Sequence, residues 1–180
     1  MKKYDKRIML DLDGVISDMA NVFNPFEALV IEKFENPRNR EIFAAAIRFK
    51  MFEKLELMPN GERMLNEMRS IKRRMKDKVD IQILTATGTS SMPEMTEEVK
   101  RQKRVWLEKK GIEFPALFVE KTKDKGMHAC PKTILIDDRV RCVEPFRENG
   151  GHAILYEDAK MDEAMKTLYE FLEIELEAVR

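Results

Sequence analysis

Ile8-Met9-Leu10-Asp11-Leu12-Asp13-Gly14-Val15 reads as a buried strand that stops in a pair of carboxylates. Three apolar residues bring the chain up, and the acids begin where the strand ends. Side chains two residues apart on a strand point to the same side, so Asp11 and Asp13 share a face. Gly14 lets the chain turn away and lets backbone approach a ligand closely. Two like charges at this spacing are costly unless a cation or a shared proton relieves them. A calcium loop also begins Asp-x-Asp. That loop needs glycine at its sixth position, where this chain has Ile16, and a helix before it, where this chain has a strand. On these residues alone, an acidic turn without chemistry remains the alternative.

Working outward, short runs rich in Ile, Leu or Val at 7–10, 80–84, 116–119, 133–136 and 152–156 suit strands covered on both faces. Helical patterns at 61–76, 93–110, 140–149 and 161–179 lie among them, and Gly150-Gly151 is a helix stop. The first of these helices carries Met64, Leu65, Met68, Ile71 and Met75 on one stripe. Strands alternating with helices predict a parallel α/β sheet with right-handed crossovers. Residues 15–60 break the rhythm. They show no strand signal and read as helices at 25–34, with Asn24 as N-cap and Glu27 three residues on, and at 40–49, with a turn at Asn36-Pro37. An insert at this place sits at the carboxyl end of the first strand, where open α/β sheets bind ligands. The expected division is a catalytic core of 1–16 and 60–180 and a helical cap of 17–59, since long insertions at such places are usually functional.

The 180 residues suffice for one core domain with a small insert. Apolar residues make up 43% and charged residues 37%, a globular rather than disordered balance. Lys+Arg and Asp+Glu are both 33, so charge does not point to nucleic acid or an acidic membrane as partner. No apolar stretch approaches the roughly 20 residues of a membrane span. Residues 1–5 run into the first strand and leave no room for a signal peptide, so a cytoplasmic location is expected. Cys130 and Cys142 form no CxxC and no disulfide framework. His128 and His152 are far apart, which argues against a His/Cys zinc site. A metal site here would use oxygen ligands, which points to Mg2+.

Two further strand ends carry chemistry. The second strand runs into Thr85-Ala86-Thr87-Gly88, where a hydroxyl and backbone N–H groups can hold a phosphate oxygen or cap the next loop. The fourth ends in Asp137-Asp138-Arg139. In a parallel sheet these ends converge on Asp11 and Asp13. On the helix 93–110, Met95, Val99 and Trp106 mark the buried face. Lys103, four residues after Val99 and three before Trp106, shares it, while Lys100, Arg101 and Arg104 point away. A lysine so placed snorkels or meets an anion.

The order Asp11-Leu12-Asp13-Gly14-Val15, Thr85, Lys103, Asp137-Asp138 resembles the haloacid-dehalogenase-like (HAD) phosphohydrolase superfamily over almost the whole chain. The resemblance implies a Rossmann-like HAD core, an α/β fold with a parallel sheet, and a small helical cap inserted after the first strand. A closer resemblance is to the 5'(3')-deoxyribonucleotidases. It rests on Asp11–Asp18, on Phe52-Glu53-Lys54-Leu55-Glu56-Leu57-Met58-Pro59-Asn60-Gly61, on Lys103-Arg104-Val105-Trp106-Leu107-Glu108-Lys109 and on Leu135-Ile136-Asp137-Asp138-Arg139. Ala86-Thr87-Gly88 departs from the Ser-Pro that usually follows the threonine in those enzymes, and cap residues that frame a pyrimidine are not matched one for one.

The resemblance implies a Mg2+-dependent phosphomonoesterase that forms an aspartyl-phosphate, with a small-molecule phosphomonoester, a nucleoside monophosphate, as its partner. Asp11 would attack phosphorus, and Asp13 would protonate the leaving group and then activate water. Mg2+ would be held by Asp11, by Asp13 through its backbone carbonyl, and by Asp137 or Asp138, with the direct ligand of that pair left open. Thr85, Lys103 and backbone around Leu12, Asp13 and Ala86 would hold phosphoryl oxygens. Arg139 would orient the acids or form a structural salt bridge. Stacking on aromatics suits any nucleobase, which makes Phe49 and Phe52 candidate substrate contacts. At least three of Phe23, Phe26, Phe43, Phe49 and Phe52 are expected to pack the cap's own core. A HAD phosphatase for a sugar phosphate is the rival enzyme. A dehalogenase has no use for an acid at position 13. A phospho-accepting receiver domain carries its acid pair at the first strand, whereas here Asp137-Asp138 comes late. The presence of all the motif residues argues against an inactive binding protein. A homodimer is compatible with the chain.

Overall fold

A computed structural model describes residues 4–33 and 39–174 of the chain. Its elements run β1 (Lys6–Leu10), β2 (Ser17–Asp18), α1 (Met19–Lys33), α2 (Asn39–Arg48), β3 (Glu56–Leu57), α3 (Gly61–Met75), β4 (Val79–Ala86), α4 (Thr96–Lys109), β5 (Ala116–Val119), β6 (Thr133–Asp137), α5 (Val140–Glu148), β7 (His152–Leu155) and α6 (Met161–Leu172). The turn expected at Asn36-Pro37 and the end of the last helix, 175–179, lie outside the described residues.

The main sheet is five-stranded and parallel, in the order β5-β4-β1-β6-β7. This is the α/β core with helical insertion that the strand and helix alternation predicts. Ile8, Met9 and Leu10 are fully buried, as a strand covered on both faces must be. Alternation then divides the core. Ile8 and Leu10 join the large cluster that includes Met64, Met68 and Ile71 of α3 and Trp106 of α4. Met9 points the other way, against Leu84, Leu135 and the α5 residues Cys142 and Phe146. Both cysteines are free, Cys142 buried and Cys130 exposed. In register, Leu10 lies beside Ile83 on one side and Ile136 on the other. The residues that follow on all three strands therefore emerge at one sheet edge.

The insert differs from its expected outline. α1 starts at Met19 and not at Pro25, because the Asp18 carboxylate accepts the N–H of Asn21 at 3.0 Å and caps the helix there. Asn24 and Pro25 are then interior. A proline inside a helix removes one N–H and crowds the preceding turn, and this helix continues through it. A ribbon absent from the sequence reading closes the base of the insert, with Ser17 opposite Leu57 and Asp18 opposite Glu56. Two-residue strands are too short to show a period. At α4 the first turn, Pro93–Met95, is a 3-10 turn, and the α-helix begins at Thr96.

Buried hydrogen bonds tie the insert to α4. Trp106 Nε1 donates to the Leu55 carbonyl and Gln102 Nε2 to the Ile47 carbonyl, each at 2.7 Å. Trp106→Phe keeps apolar bulk but leaves the Leu55 carbonyl without its donor. The expected cost is about 1–3 kcal/mol, read as a lower urea midpoint with an unchanged slope.

Candidate active site

Asp11 follows Leu10 at the carboxyl end of the central strand, and its N–H donates to the Ile136 carbonyl at 2.9 Å. That bond carries the β1–β6 ladder one residue beyond Leu10 and brings Asp11 next to Asp137. The chain then turns. The Asp11 carboxylate accepts the Leu12 N–H at 2.7 Å, and the N–H groups of Ile16 and Ser17 return to the Leu12 carbonyl. The Leu12 N–H is therefore engaged by Asp11. Gly14 has φ +90°, and a Cβ there would run into the Asp138 carboxylate. Conformation and space both demand glycine at this position.

Two buried lysines divide the acids between them. Lys103 lies on the buried face of α4, where the helical period places it. Its Nζ donates to Asp13 Oδ2 at 2.5 Å, to Thr85 Oγ1 at 2.8 Å and to the Ala86 carbonyl at 2.8 Å. The Asp13 Oδ1 atom accepts the Ser17 hydroxyl at 3.1 Å. Lys125 sits in the 3-10 turn Thr122–His128 that follows β5 and is 1% exposed. It lies 2.7 Å from Asp11 Oδ1 and 2.6 Å from Asp137 Oδ2. The sequence reading did not single out Lys125. One signal points to it: several acids converge on one sheet edge, and Lys103 alone leaves them undercompensated.

Burial pushes the Asp11 pKa up, the charges of Asp137 and Asp13 add to the rise, and Lys125 opposes it. Burial pulls Lys125 the other way, but Asp11 and Asp137 outweigh it and raise its pKa, so the ammonium stays charged. Asp138 is raised by burial, with Arg139 opposing and Asp137 adding.

Asp11, Asp137 and Asp138 each offer a carboxylate oxygen, and these oxygens lie within 4.8 Å of one another. Asp137 Oδ2 is held by Lys125, while its Oδ1 accepts the Arg139 N–H at 3.0 Å. Asp138 Oδ1 is buried without a hydrogen-bond partner among the described residues. A buried orphan oxygen beside two further carboxylates fits a hard, oxygen-ligated divalent cation. The Asp13 side chain stands apart from this trio, occupied by Lys103 and Ser17.

A cavity of about 130 Å³ opens over these groups. Asp11, Asp13, Lys103 and Lys125 line it, as do Ala86, Thr87 and Gly88 from the end of β4. The Thr85 hydroxyl is fully buried and spent on Lys103, so Thr87 takes the place at the cavity wall. Thr87 in turn shares a chain of buried hydroxyls with Thr89 and Thr96, at 2.9 and 2.6 Å. From the insert come Met19, Phe43 and Phe52, and from the segment after β6 come Arg139 and Arg141. Phe49 is not among the residues that line this cavity. It follows the last turn of α2, is 63% exposed, and packs edge-on against Phe26 with centroids 5.6 Å apart. Phe43 takes its place, 6.1 Å from Phe52, and Phe52 carries the Lys103 ammonium 5.0 Å from its ring centre.

No protein-family model and no curated protein matches the chain. Solved structures do. A haloacid-dehalogenase-like family hydrolase from Streptococcus pneumoniae superposes with TM-score 0.54 at 14% identity, covering 92% of this chain and 98% of that one. The Bacillus subtilis protein YfnB, solved bound to magnesium, gives 0.51 at 12% identity over 96% of this chain and all (100%) of that one. A Clostridium acetobutylicum protein described as a predicted phosphatase gives 0.50 at 13% identity, again covering 96% and 100%. At these identities the likeness is one of fold. The chain has the HAD-like α/β fold.

The carboxylate trio makes the metal-free protein pay a charge penalty, which gives a test. Mg2+ added after EDTA is expected to raise Tm by binding the folded state. Asp138→Asn is expected to lose most of that rise, while its Tm in EDTA equals or exceeds the wild type because repulsion is relieved. Lys125→Met leaves Asp11 and Asp137 without their cation and is expected to cost about 3 kcal/mol or more in EDTA, measured by urea unfolding.

Proposed function

We propose that the chain is a Mg2+-dependent phosphomonoesterase that works through an aspartyl-phosphate on Asp11, with nucleoside monophosphates as substrates. The observation that carries this reading is that Asp11 and Asp13 each have their own buried lysine, Lys125 and Lys103. A site built only to hold a cation gains nothing from two buried ammonium groups, which would repel it. A site that must accept an anion beside carboxylates needs them. The magnesium in the Bacillus subtilis structure and the description of the Clostridium acetobutylicum one support the reading.

Asp11, Asp137 and Asp138 would hold Mg2+, with the Asp13 carbonyl. The ion, when bound, offsets the charge of the phosphoryl oxygens that face the nucleophile. An Asp11 carboxylate oxygen attacks phosphorus while the bond from phosphorus to the leaving oxygen breaks, forming an acyl phosphate. Asp13 gives its proton to the leaving oxygen. It then takes a proton from the water that attacks the acyl phosphate, which frees Asp11 and releases inorganic phosphate. Ser17 and Lys103 fix the two oxygens of Asp13 for this work. The positive charge of Lys103 and the backbone of Ala86 would face the phosphoryl oxygens, while the N–H groups of Thr87 and Gly88 are engaged by the Val119 and Glu120 carbonyls. Residues 17–59 serve as the cap, with Met19, Phe43 and Phe52 keeping water from the intermediate.

The cavity of about 130 Å³ takes a phosphoryl group and a few further atoms. A second groove, of about 370 Å³, shares Phe43 and Gly88 with it and adds Phe23, Asn39 and Ser91. A nucleoside would extend along Phe43 into that groove, stacking its base on aromatic faces. The small inner cavity is also the observation that favours the rival substrate, a short sugar phosphate or similar monoester.

Phosphate release from deoxyribo- and ribonucleoside monophosphates and from sugar phosphates, with and without Mg2+, decides among these. Turnover is expected only with Mg2+ and fastest on a nucleotide. Asp11→Asn is expected to fall to background with an unchanged circular dichroism spectrum. Full activity in Asp11→Asn would overturn the mechanism, and a clear preference for sugar phosphates would overturn the nucleotide assignment.

A further inference from the structure

Arg141 lines the same cavity as Asp11, Asp13, Lys103 and Lys125. It forms no hydrogen bond, ion pair or ring contact among the described residues. Glu144, three residues along α5, does not pair with it, and the first turn of α5 contains no acid. Its neighbour Arg139 is different, with its Nε 3.9 Å from Asp138 Oδ2.

The other basic side chains of the cavity have acidic partners: Lys103 holds Asp13, Lys125 holds Asp11 and Asp137, and Arg139 lies near Asp138. Arg141 is the basic side chain of the cavity lining without a partner among the described residues. A guanidinium presents several N–H donors in a planar fork that suits a carboxylate or a phosphate. The inner cavity is small, so the alcohol part of a substrate leaves it within a few atoms of phosphorus.

We propose that Arg141 is a specificity-determining residue that binds a second anionic group on the alcohol part of the phosphomonoester. This rests on the phosphomonoesterase chemistry proposed above and departs from its substrate, a simple nucleoside monophosphate, which carries no second anion. The substrate is either a short phosphorylated carboxylic acid or a nucleotide with a second phosphate, both of which offer the same oxyanion to the guanidinium.

Matched pairs test it. One pair is 3-phosphoglycerate against glycerol 3-phosphate. The other is a nucleoside 3',5'-bisphosphate against the 5'-monophosphate. kcat/KM is measured with the Mg2+-loaded protein, and binding to Asp11→Asn is measured by calorimetry, so that preference is read with and without turnover. The doubly anionic member of at least one pair is expected to be preferred about tenfold or more, as a charged hydrogen-bonded contact provides, and mainly through KM. The pair that shows the preference identifies the source of the second anion. Arg141→Gln is expected to bring that ratio close to one, and Arg141→Lys to keep part of it. Equal treatment of both members of both pairs, or an equal loss on both in Arg141→Gln, overturns the proposal. Discrimination in calorimetry without turnover of any substrate leaves Arg141 as proposed and removes the phosphomonoesterase reading. No binding of any of the four overturns both.

Discussion

Lys103 ends against the Asp13 carboxylate, and Lys125 between those of Asp11 and Asp137, at an edge of the sheet where water is largely excluded. Each is 1% exposed. Burying an ammonium group is costly, and so is burying Asp11 or Asp137, yet each charge lowers the cost of the others when the geometry is close. Removing any one of them leaves a buried charge uncompensated. The backbone respects this constraint throughout. β1 is central, so that Asp11 meets Asp137 across one ladder while Asp13 reaches Lys103 and the end of β4 across the other. Gly14 gives the turn room against Asp138. α4 is held at its angle to the sheet by a lysine that bonds three partners from two elements.

The parallel sheet and most of its helices were legible because they are regular. β1 is a run of apolar residues ending in acids, and α4 repeats its buried positions every three or four residues, which singles out Lys103 among Lys100, Arg101 and Arg104. Lys125 has no such period to reveal it. It lies in a 3-10 turn with Lys121 and Lys123 nearby, and only the folded turn separates the buried lysine from its exposed neighbours. Charge accounting was the one signal for it, since a single lysine does not balance the four acids Asp11, Asp13, Asp137 and Asp138. The insert was the least legible part. Asp18 and Asn24 are both good N-caps, and the proline after Asn24 favours the wrong one. Phe43 and Phe49 are both aromatic residues of the second helical stretch. Only the end of α2 at Arg48 decides that Phe43 faces the site and Phe49 faces α1.

Thr85, picked out in the sequence by its place at a strand end, has a local role other than facing a ligand. Its hydroxyl is a partner of Lys103 and is closed off from the cavity, so its first duty is to aim the ammonium. The wall facing a ligand is built by the next three residues. Thr87 is fixed there through Thr89 and Thr96, a hydroxyl chain that ends at the first residue of α4, the helix that carries Lys103. The loop and the lysine are thereby held by the same helix. Gly88, at φ +69°, lies where a Cβ would come into van der Waals contact with the Phe43 ring, so loop and insert meet at that residue.

The insert is not held evenly. α2 buries Ile42, Ala44, Ala46 and Ile47 and is tied to α4 by the Gln102 bond, and the segment after it is tied to α4 by the Trp106 bond and by the Arg101–Glu53 ion pair at 2.7 Å. α1 buries no residue whose exposure is described, and Leu29 and Ile31 are exposed. Local opening free energy follows the apolar contacts a segment stands to lose. The part of the insert that carries Phe43 and Phe52 is therefore fixed to the core, and α1 is the part that moves at least cost. α1 is thus the least anchored neighbour of the inner cavity, and Phe43 and Phe52 are held in place over Asp11 and Asp13. Such an arrangement keeps the reacting end of any substrate in one geometry while its far end varies, which puts the burden of discrimination on side chains beyond the phosphoryl group.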